Sequence, residues 1–195
     1  MRITKVYTRT GDTGRTRLAG GQQVWKDSLR VEVYGTVDEL NASVGVVRAF
    51  NADGPGTKAS VARLERELRW IQNKLFDTGG ILATVPGQTF KNMPQIVPTD
   101  IKRLERMIDG CQKDLTPLKE FILPGGGKVA ALLHHARTVC RRAERECVRL
   151  SREEPSDPVL VKFLNRLSDA LFVLARWVVK VQGGQELLWE RESGS

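Results

Sequence analysis

The sequence predicts an all-α protein, a five-helix antiparallel bundle with a glycine-rich N-terminal loop segment. Five stretches of the chain carry apolar residues at helical spacing, and the connections between them contain the glycines and prolines typical of loops. Short connections between amphipathic helices favour an antiparallel bundle. Residues 1–35 differ from the rest, because glycines and threonines dominate where apolar periodicity is missing.

The chain length suits a single domain that spans residues 1–195. Within it we expect a loop segment over 1–35 and the helical bundle over 36–182. No run of about 18 apolar residues occurs, so we expect no membrane span. The first residues lack the apolar region of a leader peptide, and a cytoplasmic protein is therefore expected.

The apolar repeats define the five helices in turn. The first is predicted over Thr36–Phe50, where Val37, Leu40 and Val44 recur at helical spacing. The other four are predicted at about 58–84, 100–111, 128–152 and 157–182. Proline and glycine residues separate each pair of neighbouring helices, which supports these boundaries.

The charge balance and the cysteines limit the classes of partner. A net charge of +8 favours a polyanionic partner: a nucleic acid, an acidic membrane or a phosphate-rich ligand. The three cysteines, Cys111, Cys140 and Cys147, form no C-x-x-C motif, so free thiols in a reducing compartment are expected. Cys140 and Cys147 are seven residues apart and should pack on one helix face.

The glycine-rich segment over 8–16 is a candidate anion site. Gly11 and Gly14 allow close approach of the backbone, and consecutive N–H groups can form a nest for phosphate oxygens. Cationic side chains nearby are Arg9, Arg15 and Lys26. The segment lacks the Walker A spacing. A glycine-rich surface turn is the alternative interpretation.

The predicted fourth helix carries a basic face. Its residues recur at i, i+4, i+7, i+8 and i+11, and are Arg137, Arg141, Glu144, Arg145 and Val148. Guanidinium groups on one face suit a polyphosphate or a carboxylate. A solvated basic face, balanced by Glu144 and Glu146, is the alternative.

Three further groups could serve either packing or a ligand. Asp38, early in the first helix, requires a cationic partner if it faces inward. Asn165 lies among leucines, where a hydrogen bond to another helix or to a ligand would satisfy it. The glycines at 125–127 follow Phe121–Pro124 and form either a hinge or a close approach to a ligand. His134 and His135 point about 100° apart, so we predict no metal ligands there.

Taken in order, these segments resemble the PduO-type ATP:cob(I)alamin adenosyltransferases. The matching blocks are Tyr7–Gly14, Lys26 with Arg30, Tyr34–Asn41, Phe121–Gly126, Ala136–Arg145 and Leu164–Asp169. They cover nearly the whole chain. One block would be weak support, whereas several blocks in the family's order are strong support.

The resemblance implies a homotrimer of five-helix bundles with active sites between subunits. Its substrates would be ATP, with Mg²⁺, and a reduced cobalamin or related corrinoid. The nucleotide residues implied are Thr8, Arg9, Thr10, Gly11, Thr16, Lys26, Arg141, Arg142, Glu144, Arg145 and Asn165. The catalytic residues implied are Asp38, Phe121, Arg137 and Arg141. Asp38 would pair with Arg137 across the subunit boundary, and Phe121 would displace the lower axial ligand of the corrinoid.

Two positions depart from the family pattern. Gln23 stands before Val24 and Lys26 where the family often has an arginine, which puts one phosphate contact in doubt. Some members close the corrinoid pocket with a C-terminal aromatic residue, and Trp189 is the residue available here.

The implied reaction is attack of reduced cobalt on the ribose 5′ carbon of ATP, with triphosphate as leaving group. A corrinoid reductase or an adenosylcobalamin-dependent enzyme is the protein partner that this chemistry suggests. A nucleic-acid-binding bundle and a corrinoid carrier or chaperone are the competing functions. Scattered aromatic residues argue against binding to nucleic acid, since no stacking array forms.

Overall fold

The computed structural model describes Tyr7 and residues 9–190, and within them it confirms the predicted helical bundle. The helices are α1 (Leu29–Ala52), α2 (Lys58–Leu82), α3 (Pro98–Gln112), α4 (Lys128–Glu153) and α5 (Pro158–Val181). Two small antiparallel ladders accompany them: β1 (Arg15–Arg17) with β2 (Gln23–Trp25), and β3 (Ile122–Leu123) with β4 (Leu187–Leu188).

The helices form a ring. α1 packs against α2 and α4, α4 packs against α5, and α5 packs against α3. Ion pairs close the ring between α2 and α3: Lys74 Nζ lies 3.2 Å from Asp100, and the Arg103 guanidinium lies 3.3 Å from Glu67. Each helix thus buries an apolar stripe against its neighbours, and α2 also contacts α5, where Trp70 meets Phe163.

One pair of neighbours in this ring is parallel. Arg166 pairs with Glu105 at 3.1 Å, and eleven residues further along α5 Trp177 donates to Asp114 at 3.0 Å, so α3 and α5 run in the same direction. A closed ring with an odd number of helices cannot alternate direction throughout. The antiparallel bundle therefore contains one parallel contact by necessity.

Small residues let α4 approach its neighbours closely. Ala136, Cys140, Ala143 and Cys147 are all buried on the inner face of α4, as the seven-residue spacing of the cysteines predicted. Burial raises the pKa of the Cys147 thiol to about 12, so this thiol stays protonated and serves packing. Over the described residues, none of the helices has the length and apolarity needed to cross a bilayer.

The first helix begins earlier than predicted. α1 starts at Leu29 rather than Thr36, whereas the other helix ends lie within about two residues of their predicted positions. Gly35 was taken as a boundary, but it lies inside α1 with open space around its Cα. An interior glycine costs about 1 kcal/mol, and burial of Val33 and Arg30 on this turn offsets it.

Candidate functional site

The glycine-rich segment folds into a hairpin whose cations remain at the surface. Arg9 and Lys26 are exposed, and the Arg15 guanidinium stacks on the Trp25 ring at 4.3 Å. Lys26 lies above the Gly11 backbone, since a Cβ on that glycine would be 3.1 Å from the lysine Nζ. This arrangement presents backbone N–H groups and a lysine together, as an anion site requires.

Two of the nucleotide residues that the resemblance implies lie at the start of this segment. Thr10 is exposed beside Gly11. Thr8 lies outside the described residues.

The hairpin is attached to one end of the bundle. The Ala19 N–H donates to the Ala83 carbonyl at 2.9 Å, and the Thr16 side chain is hydrogen-bonded to Tyr34. Burial raises the pKa of Tyr34, and the hydrogen bond with Thr16 opposes that shift. Arg30 strengthens this end of the bundle through bonds to the carbonyls of Leu82 and Thr84, at 2.7 and 2.9 Å.

The basic face of α4 forms a groove of ≈ 430 Å³, here called the arginine groove. Its walls are Arg141, Glu144, Arg145, Val148, Arg149 and Arg152. The basic face predicted from spacing is therefore exposed and open to a ligand from Arg141 onwards.

Two implied nucleotide residues make contacts between helices at the edge of this groove. Arg142 forms a close ion pair with Glu39 of α1. Asn165 was expected among buried leucines, but it is exposed and donates to Glu144 at 2.8 Å. Of the two interpretations of Asn165, the link between helices is thus observed, and this link orients the Glu144 carboxylate.

Two cavities continue from the arginine groove. The first, here the Arg176 cavity, has a volume of ≈ 670 Å³ and its lining includes Arg137, Arg141, Phe172 and Arg176. The second, here the Phe121 cavity, has a volume of ≈ 540 Å³ and its lining includes Phe121, Arg137 and Phe172. Arg141 borders both the groove and the Arg176 cavity, and Arg137 borders both cavities. The three spaces therefore adjoin one another at these two side chains.

Arg137 is a half-buried cation at the junction of the cavities. Its Nε has no hydrogen-bond partner in the described chain, and its guanidinium lies 6.0 Å from the centre of the Phe172 ring. Burial and the neighbouring Arg141 charge lower the pKa of Arg137. An anion from outside the subunit would satisfy this group.

The implied partner of Arg137 does not reach it within one chain. Asp38 is exposed on α1, and it makes no hydrogen bond or ion pair with residues 9–190. Asp38 therefore faces outward in the described chain. Its carboxylate is available to a neighbouring molecule.

Phe121 is the most exposed of the large hydrophobic side chains in the described residues, at 78%. Its ring meets the edge of the Trp189 ring, with centroids 6.4 Å apart. The glycine run beyond it accommodates the protein's own chain. A Cβ on Gly126 would lie 2.4 Å from Val179, and one on Gly125 would lie 3.0 Å from Leu187.

Sequence reasoning missed three residues of the cavities. His134 was expected to be a packing or surface residue; it is buried edge-on to Phe172 at 5.9 Å, and it also lines the Phe121 cavity. Burial and Arg137 lower the pKa of His134, which keeps the imidazole neutral. Phe172 and Arg176 were not singled out in the sequence, since neither belongs to the leucine repeat that predicted α5. Their i, i+4 spacing just after Asp169 was the signal available.

The two predicted halves of the nucleotide site remain apart in one chain. Residues 11–26 form no hydrogen bond or ion pair with residues 137–145 of the described chain. The hairpin lies at the end of the bundle, whereas Arg137 and Arg141 lie near the middle of α4.

These features define a helical-bundle protein with neighbouring sites that suit two chemically different ligands. A cationic groove suits a polyanion, and the adjoining cavities, lined by apolar side chains together with arginines and other polar groups, suit a large ligand that has both apolar and polar parts. The family model for cobalamin adenosyltransferase matches residues 6–178. The chain therefore belongs to the cobalamin adenosyltransferase family, as its resemblance to the PduO type indicated.

Curated relatives and solved structures agree with this assignment. The chain is 44% identical to the corrinoid adenosyltransferase of Bacillus subtilis (strain 168) over 189 residues, which cover 97% of the chain and 94% of the relative. It is 39% identical over 203 residues to corrinoid adenosyltransferase MMAB of Homo sapiens, covering 100% of the chain and 76% of the relative.

The fold matches a variant PduO-type ATP:corrinoid adenosyltransferase from Lactobacillus reuteri complexed with cobalamin and ATP. The TM-score is 0.88 at 37% identity, and the match covers 96% of this chain and 100% of that chain.

Proposed function

We propose that this protein transfers the 5′-deoxyadenosyl group of ATP to the cobalt of a reduced corrinoid and releases triphosphate. The observation that carries the proposal is that Arg141 borders both the arginine groove and the Arg176 cavity, and that Arg137 borders both cavities. A triphosphate in the groove and a corrin ring in the cavities would place the ribose between them. Membership of the family supports the same reaction.

The chemistry needs positioning and charge stabilisation rather than a protein nucleophile. The cobalt electron pair forms a bond to the 5′ carbon while the bond from that carbon to the triphosphate oxygen breaks. Negative charge grows on the leaving group, so cations in the arginine groove lower the barrier. ATP would act as its Mg²⁺ complex, and the metal, held by the phosphates, would neutralise part of the same charge.

A homotrimer completes the site in this proposal. The hairpin carries Lys26 and its glycines at the end of the bundle, out of reach of Arg141 in the same chain. The exposed Asp38 and the unpaired Nε of Arg137 are complementary charges that a neighbouring subunit can join. Each nucleotide would thus contact the hairpin of one subunit and α4 of the next.

The reducing cytoplasm is the proposed location, because Co(I) is oxidised readily and the three buried thiols are free. A corrinoid reductase or an adenosylcobalamin-dependent enzyme is the expected protein partner.

The direct test combines the protein, Mg²⁺-ATP and chemically reduced cobalamin. We expect a light-sensitive alkylcobalt spectrum to appear together with an equal amount of triphosphate. Cobalamin binding without triphosphate would indicate a carrier or chaperone instead. Salt-sensitive binding to any duplex without ATP consumption would indicate a nucleic-acid-binding protein.

A mixing experiment tests the shared site. Lys26→Ala damages the hairpin side, and Arg141→Ala damages the α4 side. If each site takes one side from each subunit, unfolding the two impaired variants together and refolding them should restore sites that carry both wild-type sides, with higher activity at limiting ATP. Activity that stays at the level of the single variants would contradict a shared site.

A further inference from the structure

The C-terminal segment, residues 183–190, crosses the loop that carries Phe121. β4 pairs with β3 in the register Ile122↔Leu188 and Leu123↔Leu187. The ladder continues one step further, because the Trp189 N–H donates to the Phe121 carbonyl at 2.8 Å. The position of Phe121 in the backbone is therefore set by the segment paired with it.

A buried ion pair holds the start of this ladder. Arg176 of α5 has a side chain only 7% exposed, and its Nε and Nη2 donate to the two Glu186 carboxylate oxygens at 2.6 and 3.2 Å. The same Nη2 donates to the Thr116 carbonyl at 2.9 Å. One guanidinium thus joins α5, the turn after α3 and the C-terminal segment.

The ion pair lies where the segment would otherwise separate from the bundle. Glu186 immediately precedes β4, and both β4 residues are exposed. Before it, the backbone at Gly184 packs against Val179 of α5. A bidentate carboxylate–guanidinium pair constrains both distance and orientation, so Glu186 fixes the direction in which Leu187 and Leu188 leave.

Arg176 also borders the site directly. Its side chain lines the Arg176 cavity together with Arg137 and Phe172. The group that anchors the C-terminal segment is therefore part of the cavity that lies next to Phe121.

We propose that Arg176 and Glu186 are positioning residues, which hold the C-terminal segment so that its ladder and Trp189 keep Phe121 in place against the corrinoid. This inference rests on the proposed transferase function. Neither residue needs to touch a reacting atom, since both act through Phe121. The ion pair also explains how the charged Arg176 is accommodated in an otherwise apolar stretch of α5.

Kinetics of Glu186→Gln test the role. The variant keeps the shape of the side chain but removes its charge. We expect kcat with reduced cobalamin to fall about ten- to a hundredfold, because small displacements of a positioned group have effects of that order. The KM for ATP should stay unchanged. The absorbance spectrum of bound Co(II) cobalamin with ATP should show less loss of the lower ligand than in the wild type.

A double-mutant cycle distinguishes positioning from general damage. If Glu186 acts through Phe121, the double variant Glu186→Gln/Phe121→Ala should be no slower than Phe121→Ala alone. The proposal would be overturned if the two substitutions lowered kcat multiplicatively, or if kcat were unchanged in Glu186→Gln. Glu67→Gln is the matched control, since it removes the carboxylate of the Arg103 ion pair, outside both cavities.

Anchoring can be measured without turnover. Chymotrypsin has sites at Leu187, Leu188 and Trp189, and Glu186→Gln should speed cleavage there at temperatures well below the melting temperature of the variant, where the bundle stays folded. Arg176→Lys keeps the charge but not the bidentate geometry, and it should give an intermediate rate. Unchanged cleavage in Glu186→Gln would overturn the anchoring role, whereas an inactive wild type would overturn the proposed function instead.

Discussion

The two glycine-rich loops of this protein look alike in sequence and differ in structure. In the first, over residues 9–26, a side chain on Gly21 would meet open space, one on Gly20 would meet only the flexible ends of Gln22 and Gln88, and exposed cations lie around the backbone. The second, over residues 121–127, is covered by the protein's own chain, since Val179 and Leu187 occupy the space that side chains on Gly126 and Gly125 would need. Glycine admits a close neighbour in both loops, but the neighbour differs.

The difference shows that glycine content alone does not identify a ligand-binding loop. An open glycine loop beside cations can admit a phosphate. A closed one sets the position of its flanking residues, here Phe121. We therefore expect substitutions in the first loop to affect the nucleotide, and substitutions in the second to affect stability and the corrinoid.

The largest expected effect concerns Gly126→Ala. Its φ of 85° disfavours a side chain, and the new Cβ would lie 2.4 Å from Val179. We expect a loss of about 3 kcal/mol in the free energy of unfolding, from backbone strain plus overpacking. Denaturant titration measures it.

Gly21→Ala is the matched control in the first loop. Its φ is similar, at 86°, but open space surrounds it, so a loss of only about 1 kcal/mol is expected. Equal losses in the free energy of unfolding for Gly126→Ala and Gly21→Ala would show that the two loops do not differ in packing.

Phe121→Ala should affect the corrinoid half of the reaction. We expect turnover to fall about a hundredfold, equivalent to about 2.7 kcal/mol, while ATP affinity stays near the wild-type value. Steady-state rates and ATP titrations measure the two quantities. An equal loss in both would contradict a role confined to the corrinoid.

Lys26→Ala should affect the nucleotide half. Its exposed ammonium lies above Gly11, and we expect ATP affinity to fall about tenfold, or about 1.4 kcal/mol. The melting temperature and the KM for cobalamin should not change. Lys58→Ala, at the exposed start of α2, is the control for a general loss of positive charge.

The smallest effect concerns pH. Burial and Arg137 lower the pKa of His134, and Glu186 partly opposes this shift. The unfolded chain, with a pKa of about 6.5, therefore binds a proton before the folded one does. The contribution of His134 to stability is complete above that pH and is lost as pH falls towards the folded pKa.

Unfolding free energies between pH 7 and pH 5 test this expectation. His134→Gln should flatten the pH dependence, and His135→Gln, at an exposed position, should not. The chain has two histidines, so the pair accounts for the whole histidine contribution. The same slope in both variants would show that burial of His134 does not govern it.

The helices were predictable because their information is local. The spacing of apolar residues predicted all five helices. Their observed ends agree closely with the predicted ends except at the start of α1, where Gly35 was taken as the residue before the helix. Contacts with α2 and α4 outweigh the weak helix propensity of that glycine. The basic face of α4 was predictable for the same reason, since Arg141 and Arg145 follow from helical geometry.

Contacts between distant segments were not predictable in the same way. Asn165 was predicted on or beside the apolar face of its helix, and the register of α4 against α5 leaves it exposed beside Glu144. The packing of Val179 against Gly126, and of Trp189 against Phe121, joins residues more than 50 positions apart. No spacing within either segment encodes those distances.

The sequence by itself determined where the helices lie, which α4 face is cationic and to which family the chain belongs. Only the tertiary structure decided which cations line the arginine groove and the two cavities. It also decided that the second glycine loop is closed and that the hairpin lies away from Arg141 in the same chain. The physical reason is that periodicity specifies the faces of one element. Burial and charge pairing depend on which other element covers each face.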